Sequence, residues 1–147
     1  MTPPVPEPRD TLEGALARAA QAEAMYEALV LQVPGITYAE SLDDGRTISI
    51  SPQVESLLGY SQEEWMNNPL LWVELIHPDD LKRVVDDCHA ANEARRTFRA
   101  EYRMITRDGR VVWIDDVATL VEDSRGRPLC WQGVMLDVTD RKEAADS

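Results

Sequence analysis

The stretch FRAEYRMITRDGRVVWI, residues 98 to 114, decides the fold class. In its first half Phe98, Ala100, Tyr102 and Met104 alternate with Arg99, Glu101 and Arg103. An extended chain with that period has one apolar and one charged face. Arg107-Asp108-Gly109-Arg110 then supplies a tight turn, and VVWI opens a second extended run. Two such runs about a turn of this chemistry read as an antiparallel pair.

Moving towards the C-terminus, VVWIDDVATLVED is followed by the turn SRGRP and by LCWQGVMLDVT, a third long strand. In DRKEAADS, Asp140 and Glu143 have capping-box spacing and are read as opening a helix. Moving towards the N-terminus, the period is helical. In IHPDDLKRVV, residues 76 to 85, Pro78, Asp79 and Asp80 suit a first helical turn, where acids favour the positive end of the helix dipole. Leu81, Val84, Val85 and Cys88 share a face of that helix. His77 beside the proline is read as part of the cap; no second histidine or nucleophile is near in sequence. Ser51-Pro52 is read as an N-cap with proline at N1, and Ser61 with Glu64 as a capping box. ITYAESL and RTISIS about Asp43-Asp44-Gly45 read as a hairpin. Before it, residues 10–33 carry Leu12, Leu16, Ala19, Tyr26, Leu29 and Val33 at helical spacings, and Pro34-Gly35 ends that amphipathic helix. Residues 1–9 hold four prolines and are read as a disordered tail.

Composition narrows the function. The 147 residues suit one domain. A formal charge of −12 repels phosphate backbones and anionic lipid, so nucleic acid and membrane surfaces are not expected partners. Cys88 and Cys130 have no CxxC spacing and are read as reduced and buried. No signal peptide or long apolar run stands out, so a soluble cytoplasmic segment is expected. There is no phosphate-cradling glycine loop, nucleophile elbow or metal-ligand spacing, so no enzyme is expected.

Two strands, several short helices and three longer strands is an order that resembles the PAS domain. So do ISPQVESLLGYSQEEW (50 to 65), HPDD (77 to 80), EYRMITRDGRVVWI (101 to 114) and GVMLDVTDRK (133 to 142), the last resembling its C-terminal PAC motif. The resemblance covers about residues 34 to 142 and implies an α+β fold. Its parts are a five-stranded antiparallel sheet with short helices on one face, an N-terminal amphipathic helix (10–33), a PAS domain over 34–139, and an output helix beginning at 140–147.

It also implies function. PAS domains hold a small ligand or a partner and pass the signal on through flanking helices. A C-terminal effector, such as a histidine kinase or a diguanylate cyclase of a bacterial signalling protein, is the expected partner. The alternative is a stand-alone binding protein. On the family pattern Tyr102, Met104, Ile114, Trp131, Gly133 and Met135 line a mostly apolar pocket, or else are simple core. Asp137 and Thr139 resemble the Asp-x-Thr junction that relays strain to the output helix. Leu12, Leu16, Ala19, Tyr26 and Leu29 are expected at a homodimer contact, with Trp113 packed under the leading helix. Haem is disfavoured because His89 lies late on its helix. Covalent flavin is disfavoured because NPLLWVELI lacks the cysteine of the light-sensing motif, and no other cofactor is assigned.

Overall fold

The computed structural model describes residues 11–146; the expected tail, residues 1–9, lies outside them. The chain forms two compact units divided after Val33. The first contains helix α1, Leu12–Gln32. Its start is set by Thr11, whose Oγ1 accepts the Gly14 amide at 2.9 Å, and its end by the extended backbone of Val33 ahead of Pro34.

The second unit is a five-stranded antiparallel sheet in the order β2-β1-β5-β4-β3 with short helices. Strands β1 (Gly35–Ser41) and β2 (Thr47–Ile50) form the expected hairpin. Helices α2 (Gln53–Leu58), α3 (Gln62–Asn67), α4 (Leu71–Leu75) and α5 (Pro78–Ala94) follow. Then come β3 (Phe98–Ile105), β4 (Val111–Glu122) and β5 (Pro128–Asp137), and finally α6 (Thr139–Asp146). The inward residues of the sheet meet apolar side chains of the helices, so Ile36, Val54, Leu58, Val84, Tyr102, Met104 and Ile114 are fully buried together. Because β1 pairs with β5, the first strand lies inside the sheet beside the last, which is its central strand, with Tyr38 opposite Gly133.

Local chemistry explains where the helices sit. His77 is the N-cap of α5: its Nδ1 accepts the Asp79 amide at 3.1 Å, with Pro78 at N1. The HPDD grouping is therefore a cap, as read. Asp80 does more. Its carboxylate accepts two guanidinium hydrogen bonds from Arg103, at 3.0 and 2.9 Å, and the Arg103 amide at 2.9 Å. Those bonds, Arg103's side chain foremost, hold the Asp80 carboxyl down to about 2, and they pin the start of α5 to β3. Ser61 and Glu64 form the expected capping box.

Two local readings are corrected. Ser51 is not an N-cap: its hydroxyl accepts the Thr37 amide at 2.9 Å, extending the β1–β2 ladder, and Pro52 occupies the cap position without a side-chain bond. Helix α6 opens at Thr139, one residue before Asp140, because the Asp137 carboxylate accepts the Thr139 amide at 2.9 Å. Trp113 carries Arg103 and Lys142 over its ring at 5.3 and 4.8 Å, a cation–π arrangement.

Candidate functional site

Between the inner face of the sheet and helices α3 to α5 lies a cavity of about 410 Å³. That is within the roughly 300–1,000 Å³ usual for small-molecule sites. Its floor is Tyr38 and Glu40 of β1, Asp116 and Ala118 of β4, and Trp131 and Met135 of β5. Its walls are Trp65, Asn68, Pro69 and Trp72 on one side and Cys88, His89, Asn92 and Phe98 on the other. The hairpin turn, Ser41 to Gly45, and Arg95 border the mouth.

A hydrogen-bonded chain crosses the floor. Tyr38 Oη donates to Asp116 Oδ1 at 2.5 Å, Tyr102 Oη donates to Asp116 Oδ2 at 2.7 Å, and Trp72 Nε1 donates to Tyr102 Oη at 2.8 Å. The Trp72 and Tyr102 rings meet edge to face, centroids 6.2 Å apart. Glycine at 133 permits this. A Cβ there would stand 2.3 Å from Tyr38 Cζ, so the Tyr38 ring lies across β5 where any side chain would block it.

Burial pushes the Asp116 carboxyl up to about 6, against the two tyrosine hydrogen bonds that favour its charged form. Burial first, and the Asp116 charge second, raise Glu40 to about 7. Burial, then Glu40 and Asp116, raise the Cys88 thiol to about 11. Both tyrosines move well up from their ordinary value, chiefly by burial and then by Asp116. The site is thus an acidic, aromatic-walled cavity that holds charge reluctantly.

The expected pocket residues divide. Trp131 and Met135 face the cavity. Tyr102 stands behind its wall and acts through Asp116 and Trp72. Met104 and Ile114 are core, fully buried, and Gly133 serves by leaving room for Tyr38. The cavity is not mostly apolar, since Glu40, Asp116, His89 and Asn92 border it. Cys88 and Cys130 are free and only half-buried, and Cys88 lies on the wall. Glu40 and Asp116 were passed over, although their signal was available. In ITYAES, Glu40 shares the parity of Ile36 and Tyr38, and in VVWIDDVA, Asp116 shares that of Val112, Ile114 and Ala118. A carboxylate on the apolar face of a strand marks a site or a network.

At the far end of the same strands the junction residues meet. Thr139 Oγ1 donates to the Asp137 carboxylate at 2.5 Å and accepts the Trp113 amide at 2.9 Å. The Val138 amide reaches Trp113 O at 2.9 Å. Arg141 and Lys142 pair with Glu101 of β3. On α1, Leu12, Leu16, Ala19, Tyr26 and Leu29 are exposed within their own unit.

This geometry agrees with what the chain is similar to. Residues 47–135 match the family model described as the PAS fold, and the chain belongs to the PAS family. It is 35% identical over 92 residues to the methyl sulfide methyltransferase-associated sensor of Methanosarcina acetivorans, covering 62% of this chain and 9% of that one. It is 30% identical over 132 residues to the two-component sensor PprA of Pseudomonas aeruginosa, covering 87% of this chain and 14% of that one. Among solved structures, the N-terminal domain of a diguanylate cyclase with a PAS/PAC sensor from Marinobacter aquaeolei has 32% identity and a TM-score of 0.66. That match covers 74% of this chain and 98% of that one. A sensory signalling role follows from this membership. Among the described residues, no helix is long and apolar enough to cross a membrane.

Proposed function

We propose that this chain is a non-catalytic sensory module that holds a small ligand in the cavity and relays its presence to an attached effector through α6. We further propose that it pairs with a second copy through α1. The observation that carries the reading is shared strands: β4 and β5 supply Asp116, Ala118, Trp131 and Met135 to the cavity and Trp113 and Asp137 to the base of α6. A shift of those strands on binding would therefore reach the helix. A histidine kinase or diguanylate cyclase is the effector class suggested by PprA and by the Marinobacter structure. The free thiols of Cys88 and Cys130 suit a reducing, cytoplasmic compartment.

Native mass spectrometry of the freshly purified protein, with an absorption spectrum, tests ligand binding. A small non-covalent adduct without haem or flavin bands is expected. It should be absent from an Ala118→Phe variant, whose ring fills the cavity. A bare chain in both proteins, or an adduct that survives filling, goes against the reading.

A further inference from the structure

We infer that the ligand is a small organic cation, an amine or quaternary ammonium, seated over Asp116 and Glu40 against the tryptophan walls. The inference rests on the cavity being a ligand site and adds the ligand's charge and shape.

Three features of the cavity converge. First, its border carries four carboxylates, those of Glu40, Asp43, Asp44 and Asp116, against one guanidinium, that of Arg95. An anion entering such a space meets repulsion from all four acids. Second, among the described residues no cation answers the two deep acids. Asp116 is held by tyrosine hydroxyls alone. Among the described residues no ion pair or hydrogen bond reaches the half-buried Glu40 carboxylate, and Arg95 stands exposed at the mouth without an ion pair to either. A buried carboxylate without a counter-charge is costly, and an incoming cation removes that cost. The upward displacement of both carboxyls by burial has the same origin. Third, the rings of Trp65, Trp72 and Trp131 border the same space, beside Tyr38 and Phe98. Tryptophan faces attract ammonium groups most strongly of the aromatic side chains, and aromatic walls with one or two acids are what recognition of alkylammonium heads requires. A neutral apolar ligand would use the rings but leave the carboxylates unanswered. A cation uses both and also supplies the counter-charge.

Three probes of nearly one shape separate the possibilities: choline, its neutral isostere dimethylbutanol, and the anion dimethylbutyrate. Binding to the whole chain is followed by calorimetry and by quenching of tryptophan fluorescence. Choline is expected to bind about tenfold or more tightly than the alcohol, the margin a desolvated cation–π and carboxylate contact supplies, with no measurable binding of the anion. Glu40→Gln should weaken choline about tenfold, leave the alcohol unchanged and still unfold in one cooperative thermal transition; Asp116→Asn gives a second reading of the same charge effect. Equal affinity for choline and the alcohol, preference for the anion, or binding of none of the three overturns the inference. The sensory-cavity reading is decided separately, because a neutral or anionic compound retained in the native mass spectrum would preserve it.

Discussion

At the scale of the single residue, Gly133 carries the cavity floor. Its missing side chain lets the Tyr38 ring cross β5 and reach Asp116. Gly133→Ala puts a carbon 2.4 Å from the Tyr38 hydroxyl, so the ring must move and its hydrogen bond break. We expect a loss of about 1–3 kcal/mol, the usual range for overpacking, read from urea denaturation. The loss should shrink in a Tyr38→Ala background. Equal losses in both backgrounds would mean that the ring is not what Gly133 accommodates.

Asp116 and Glu40 give a second prediction, in pH. Burial holds both carboxyls above their ordinary values of 3.8 and 4.5 in the folded chain, at about 6 and about 7. Groups raised by folding contribute stability that is complete below the unfolded values and is lost as pH rises through the folded ones. The melting temperature should therefore fall between about pH 4 and pH 7, by an amount corresponding to at most about 3 kcal/mol for Asp116. Asp116→Asn and Glu40→Gln should each flatten that slope. An unchanged slope in both variants would place the titration elsewhere.

At the scale of the element, periodicity and caps were the legible part. The alternation in Phe98–Met104 set β3, the Ser61–Glu64 spacing set α3, and His77-Pro78 set the start of α5. Tertiary bonds that reuse a capping residue were not legible. Ser51 offers its hydroxyl to β1, 14 residues away in sequence, and no local rule weighs that partner against its own helix. The pocket was half legible for a related reason. Period two says which residues face inward, but not which of them meet a helix and which meet open space. Met104 and Ile114 point inward like Trp131 and Met135, yet they lie against packed core. Helix α1 is a separate element with a separate prediction. Its Leu12, Leu16, Tyr26 and Leu29 are exposed, and apolar side chains so arranged on one helix favour a partner surface. Deleting residues 1–33 should convert a dimer to a folded monomer in light scattering; an unchanged dimer would move the interface to the PAS unit.

At the scale of the PAS unit, residues 34 onward, the cavity and the base of α6 are two ends of one pair of strands. Asp116 and Trp113 stand three residues apart on β4, and Met135 and Asp137 stand two apart on β5. Because paired strands move together through their ladder, displacement at the floor has a short path to the bonds that hold α6. Those bonds run from the Trp113 amide to Thr139, from the Val138 amide to Trp113, and from the Thr139 amide to Asp137. A cap of this kind is worth about 0.5–2 kcal/mol, small enough for binding energy to shift. The measurement that tests the central claim most directly is amide hydrogen exchange at Trp113, Val138 and Thr139, comparing the wild type with Ala118→Phe, whose ring mimics an occupied cavity. The account predicts a change of protection at all three amides together, about two- to thirty-fold for a shift of that size. Identical protection there, with every difference confined to the cavity wall, would contradict it.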